Sequence, residues 1–177
     1  MWFQQSVEAI FFRAFGERLS PDTLEALRRL GIDQLHPRPT YPLLAVAQGI
    51  RVVAADVFPN LTREQALHEL GEAFVRGYEQ TFMGTAILQL MRVIGPTRSL
   101  QRLQRIFRTG GNYMDTRFTS LGPRKAEVWV SDVSGLPTFY GGMITRGGVY
   151  AAARGLRTTC TPGPDDSCTY LVEWEKG

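Results

Sequence analysis

From Tyr113 onward the apolar residues stop recurring every three or four positions and begin to alternate, which divides the chain into a helical part and a sheet part. In KAEVWVSDV, Ala126, Val128 and Val130 alternate with Glu127, Trp129 and Ser131, the pattern of a strand with one apolar side. SGLP then turns the chain, and MITRGGVYAAAR reads as a short helix. LRTTCTPGPDDSCTYLVEW closes with two strands joined by a Pro/Gly/Asp turn. A hairpin centred on Pro164 sets Leu156 opposite Val172, Thr158 opposite Tyr170 and Cys160 opposite Cys168, with Trp174 continuing the same side.

Upstream, the punctuation is that of helices. Ser6 to Phe15 is one. Ser20 followed by Pro21 is an N-cap with proline at the first helical position, and Gly31 after LEALRRL ends that helix in the left-handed conformation. Thr40 to Val57 is a third. Thr62 with Gln65 forms a capping box before EQALHELGEAFVRGY. There Leu67, Leu70, Phe74 and Tyr78 make one inward stripe, while His68, Glu72 and Arg76 face water. Beside the stripe, Ala73, Gly77, Thr81 and Gly84 form a small-residue ridge, for tight helix contact in the first place and a flat ligand in the second.

These elements predict an α+β domain spanning residues 1–177, with a helical part (1–111) packed on a sheet part (112–177). The sheet is four-stranded and antiparallel, with a helix between its two strand pairs. A chain of 177 residues with 44% hydrophobic and 21% charged residues has the composition of one globular domain. The best apolar stretch, Leu43 to Phe58, is interrupted by Gly49, Arg51 and Asp56 and falls short of the roughly 18 residues a membrane span requires. MWFQQSVEAIFFRAF lacks a basic leader and a cleavage site, so the expectation is a cytoplasmic protein, in keeping with only two cysteines.

Charge is unevenly spread. Residues 80–125 carry 8 basic groups and 1 acidic group, a local excess of seven, against an overall net charge of +3. Much of that excess lies in GPTRSLQRLQRIFRTGGN, which reads as a single helix. On a helical wheel Leu100, Leu103, Ile106 and Phe107 fall together, and Arg98, Arg102, Arg105 and Arg108 gather opposite. The arginines therefore face a solvated surface first, an acidic partner second. Nucleic acid is disfavoured, because the face carries no aromatics on which bases could stack.

Several segments, YPLLAVAQGIRVVAADVFP, EQALHELGEAFVRGYEQTFMGTAILQLMRVIGPTRSLQRL, FRTGGNY and YLVEW, are similar to a paralogous family of myxobacterial proteins of unknown function. More distantly, the order of helices, strand pair, helix and strand pair resembles the superfamily of haem-nitric-oxide-binding domains, vinyl-reductase-type sensor domains and TRAPP vesicle-tethering subunits. That resemblance implies a regulatory or assembly domain, usually a homodimer, with a ligand held between helices and sheet. Haem-binding members carry a histidine near the end of the helix before the sheet and a Tyr-x-Ser-x-Arg motif. FRTGGNYMDTRF offers neither, which speaks against haem in that mode. The zinc-holding sensors have two cysteines seven residues apart, as Cys160 and Cys168 are, but Arg157 stands where their glutamate would be and there is no third cysteine. Two thiolates alone fall short of the four ligands of a structural zinc; Asp165 or Asp166 could complete a site, but the preferred expectation is a buried thiol pair without metal, open to oxidation across the strands.

Catalytic constellations are scarce. The histidines are His36 and His68, and HELGE lacks the second histidine of a zinc-protease helix. No nucleophile elbow, phosphate loop or dinucleotide fingerprint occurs. The reading is a non-enzyme without a cofactor. It would bind a small apolar or aromatic molecule between helices and sheet, against Phe74, Tyr78, Phe82, Tyr113 and Trp129. The alternative is a TRAPP-like assembly module in which the same aromatics fill the core and a protein is the partner.

Overall fold

In a computed structural model, which describes residues 1–176 with the side chain of Glu17 apart, capping residues set where the helices begin. A short strand β1 (Trp2–Phe3) leads into α1 (Gln4–Glu8), which continues as a π-helical turn over Ala9–Arg13. Ser20 Oγ accepts from the Thr23 N–H at 3.2 Å to open α2 (Pro21–Arg29), and Gly31 follows at φ 77°. Strand β2 (Thr40–Tyr41) pairs antiparallel with β1, so the third helix, α3 (Leu43–Val57), begins only after Pro42. Both halves of the Thr62–Gln65 capping box are made at the start of α4 (Arg63–Glu79).

The arginine-rich stretch is not a single helix. Thr81 caps α5 (Phe82–Gln101), which is broken at Gly95, where φ is 79° and Pro96 restarts the spiral. A second break at Arg102 separates α6 (Leu103–Phe107). Amphipathicity survives both breaks, because each piece keeps its own apolar side inward: Leu100 and Leu103 are buried, and Ile106 and Phe107 pack against the core.

The C-terminal part contains β3 (Thr116–Gly122), β4 (Lys125–Val130), α7 (Pro137–Tyr150), β5 (Arg157–Pro162) and β6 (Cys168–Glu173). The strands form one antiparallel sheet in the order β3-β4-β6-β5. Ala126, Val128 and Val130 are buried, as their alternation predicts. The hairpin register differs from the expected one by two residues: Cys160 faces Tyr170, Thr158 faces Val172 and Pro162 faces Cys168. A shift of two leaves every side chain on its expected face, so the apolar pattern fits both registers. The turn decides between them, with Asp165 and Asp166 at φ 54° and 60° and the Gly163 N–H donating to the Ser167 carbonyl at 2.8 Å.

Helix α4 is the hub of the fold, buried along its length against α7 on one side and the Ala9–Arg13 turn on the other. Two glycines permit the first contact. A Cβ on Gly71 would lie 2.0 Å from the Phe139 carbonyl oxygen, and one on Gly142 would lie 2.1 Å from the His68 carbonyl oxygen. Gly77 permits the second, since its Cβ would lie 2.4 Å from the Ala9 carbonyl oxygen. The small-residue ridge is thus a backbone packing surface, not a ligand face. Crossing by α7 also half-buries His68 and Glu72, which the stripe alone places in water.

Gly71→Ala is expected to destabilise the chain by about 1–3 kcal/mol or more, because backbone cannot yield as a side chain can. Gly141→Ala, where the nearest atom is Tyr170 Cε1 at 3.7 Å, should be neutral or slightly stabilising. Urea denaturation of the two variants checks this; equal losses would contradict the close-approach account.

Candidate functional site

Tyr78 on α4, Leu88 and Met91 on α5, Leu103 and Phe107 on α6, and Ile144 on α7 turn toward a common cavity of about 80 Å³. It is several times what one water needs and about half of the roughly 150 Å³ that holds benzene in an engineered apolar core. Its wall is almost wholly apolar. Trp2 and the 109–114 loop complete it, and none of the strands β3 to β6 contributes to the lining. The cavity therefore lies within the helical layer, beside α7, and not directly between helices and sheet.

The N-terminal strand and the FRTGGN loop close one side. The Phe3 N–H donates to the Gly110 carbonyl at 2.9 Å, and the Asn112 N–H to the Met1 carbonyl at 3.1 Å. The loop needs small residues here, since a Cβ on Gly111 would lie 2.8 Å from the Met1 carbonyl oxygen. Trp2, held by this pairing, packs edge-on against Phe74 with ring centroids 6.1 Å apart and tilts against Tyr113 at 5.4 Å.

Of the five expected ligand-side aromatics, Phe74, Tyr78 and Tyr113 line the cavity. Phe82 and Trp129 do not. Phe82 is 91% exposed at the first turn of α5, where Thr81 turns the chain outward. Trp129 lies on the face of the sheet opposite Val128 and Val130, with the Arg117 guanidinium stacked 4.1 Å from its ring. Its odd position in the alternation already placed it there. Tyr140, fully buried on α7, is the tyrosine of the lining that sequence reasoning missed, because α7 begins at Pro137, upstream of the stretch that reads as helical.

Arg98, Arg102, Arg105 and Arg108 are all exposed, as the wheel predicts. Arg108 reaches Asp115 at 3.2 Å. Cys160 and Cys168 are free thiols, diagonal neighbours on one face of the β5–β6 hairpin. Cys168 is buried, and burial together with the adjacent Cys160 pushes its thiol up to about 11. Among the described residues no three of His, Cys, Asp and Glu converge as a metal site.

The polar groups of the cavity are hydroxyls. Tyr113 and Tyr140 share a hydrogen bond between their hydroxyls, Tyr78 bonds Thr109 at 2.9 Å, and Ser99 donates to the Gly95 carbonyl at 2.7 Å. Burial raises the tyrosines above their ordinary value, Tyr113 and Tyr140 strongly, with the neighbouring Tyr140 adding to the effect on Tyr113.

A description of the family DUF2378, proteins of unknown function, matches residues 1–175. The chain belongs to this family. No curated protein matches the DUF2378 chain. Solved structures similar to it are H-NOX proteins. The Fe(II) unliganded H-NOX protein from K. algicida superposes with TM-score 0.70 at 8% identity, covering 100% of this chain and 98% of that one. The H-NOX domain from Shewanella oneidensis in its Fe(II)CO state gives 0.70 at 10% identity with both chains fully covered. An oxygen-binding H-NOX domain related to soluble guanylate cyclases gives 0.67 at 9% identity, over 97% of this chain and 92% of that one. At such identities the likeness is one of fold.

The residues of the DUF2378 chain do not fit a haem iron. Its proximal ligand would come from His, Cys or Tyr at the cavity wall, since the methionines there, Met91, Met114 and Met143, have no histidine to serve beside. His36 is a surface residue 2.9 Å from Asp33, and His68 faces Thr145 across the α4–α7 crossing, so neither lines the cavity. Tyr113 and Tyr140 are engaged with each other, and about 80 Å³ does not admit a porphyrin.

The raised tyrosines fix a pH dependence. The folded state retains phenolic protons that the unfolded chain releases near pH 10, so the tyrosine contribution to stability should be constant below about pH 10 and fall as pH rises beyond it, on top of a loss that the raised Cys168 thiol begins near pH 9. Thermal unfolding across alkaline pH and phenolate absorbance check this. Tyr113 and Tyr140 should ionise only as the fold is lost, and early ionisation of all tyrosines would contradict their burial.

Proposed function

We propose that this chain is a regulatory, non-catalytic domain that takes up a small apolar or aromatic molecule in the cavity among α4, α5, α6 and α7. The apolar cavity carries this reading: its lining holds no acid, lysine, arginine or histidine. Such a site suits binding by burial and not bond-making chemistry. Phe74, Tyr78, Tyr113 and Tyr140 form its aromatic wall, and the four exposed arginines present a surface to an acidic protein partner. The H-NOX fold supports the reading by analogy, since one neighbour is named as oxygen-binding. No helix among the described residues is long and apolar enough to cross a membrane.

Gly147 supplies the test, because a Cβ there meets only Met91 Cε, at 3.4 Å, inside the cavity. Native mass spectrometry of the purified protein should show a retained organic mass that Gly147→Leu loses while its fold persists. A bare protein that also fails to bind isobutene, which is small enough for about 80 Å³, overturns the reading.

A second reading, assembly into a homodimer, is favoured by the outer face of α5. Phe82, Leu90 and Val93 are exposed there, and Arg92 is the one ionisable residue between positions 82 and 97, so two copies can meet with little like-charge repulsion. Light scattering should show a dimer that Val93→Glu dissociates; a monomeric parent at high concentration excludes it.

A further inference from the structure

The hydroxyls of the cavity wall can be followed proton by proton. Thr109 Oγ1 donates to the Ile106 carbonyl at 2.6 Å, so in its 2.9 Å bond with Tyr78 it can only accept, and the Tyr78 proton is used there. The Ser99 proton is used on the Gly95 carbonyl. Tyr113 and Tyr140 bring two protons, and their shared bond uses one. Neither hydroxyl has another partner among the described residues. One O–H donor is thus left over in a wall that is otherwise apolar, and an unpaired buried donor costs about 1–3 kcal/mol.

The pair is not placed to pass this proton elsewhere in the fold. Tyr140 is enclosed by Phe107 and Phe139, with ring centroids 6.2 and 5.4 Å away, and Tyr113 by Trp2. Asp132, the acid whose charge acts on both phenols, makes no hydrogen bond to either of them, and its Oδ1 accepts from the Ser134 N–H and hydroxyl at 2.7 and 3.1 Å. The tyrosines therefore stay neutral, and what they offer is a hydrogen bond to something inside the cavity.

Resting on the pocket reading above, we infer that the Tyr113–Tyr140 hydroxyl pair is the polar anchor of the site, and that its ligand is a small uncharged molecule with one hydrogen-bond-accepting oxygen, such as a ketone. A carboxylate or an ammonium is excluded from this class, because the lining has no counter-charge to meet either one. A pure hydrocarbon would leave the donor unmet.

Acetone and isobutene share a shape, differ in that acceptor and are small enough for about 80 Å³, so the two probes separate anchor from cavity. The variant is the double one, Tyr113→Phe with Tyr140→Phe, since either single change leaves a hydroxyl and its proton in place. Removing both partners of a buried bond is close to neutral for stability. By calorimetry, the double variant should weaken acetone at least about ten-fold, or 1.4 kcal/mol, and change isobutene by less than about two-fold. The carbonyl stretch of bound acetone should shift to lower frequency in the parent and return in the variant. Acetate should not bind. Equal effects on both neutral probes, or binding of the carboxylate as tight as that of the ketone, overturns the anchor and leaves the pocket standing. Binding of neither neutral probe overturns both.

Discussion

The arrangement depends on the crossing of α4 and α7 at Gly71 and Gly142. Each glycine lies where the other helix's backbone passes, between Phe139 and Met143 on one side and between His68 and Glu72 on the other. Side chains of ordinary size would hold the helices farther apart. Close approach brings Phe74 and Tyr78 of α4 and Tyr140 and Ile144 of α7 to a common wall, with the sheet carried on the far side of α7. The same backbone contact that makes the helical layer thin also leaves the cavity beside it, where α5 bends away at Gly95.

Much of this was legible in the sequence because it is written in short-range signals. Ser20 and Thr62 cap the helices they precede, Ala126, Val128 and Val130 turn inward, and the leucines of the 100–107 stretch face the core. What escaped depends on partners distant in the chain. A hairpin slipped by two residues satisfies the same alternation, so only the turn geometry near Asp165 distinguishes the registers. Phe82 and Phe74 are alike as residues, and their opposite fates follow from the Thr81 turn. Tyr140 was hidden by glycines at 141 and 142, which look like helix breakers locally, whereas Gly142 serves as a close-packing position in the fold.

The comparison with H-NOX proteins separates fold from site. The chain shares the order and shape of those domains almost end to end, at 8–10% identity. Apolar side chains of α4, α5, α6, α7, Trp2 and two loops converge to leave about 80 Å³, and the residual side-chain polarity is a cluster of hydroxyls with no histidine among them.

The short stretch from Pro96 to Arg108 has two occupations. Its inner residues, Leu100, Leu103 and Phe107, touch the cavity, while Arg98, Arg102 and Arg105 stand in solvent a residue or two away along the same backbone. The stretch is bounded by the Gly95 break and divided at Arg102, so it comprises two short helical pieces. Anything that wedges Leu103 or Phe107 outward must carry guanidinium groups with it. The interior of the molecule is thereby geared to the pattern of positive charge it displays, with no intermediary beyond the covalent chain.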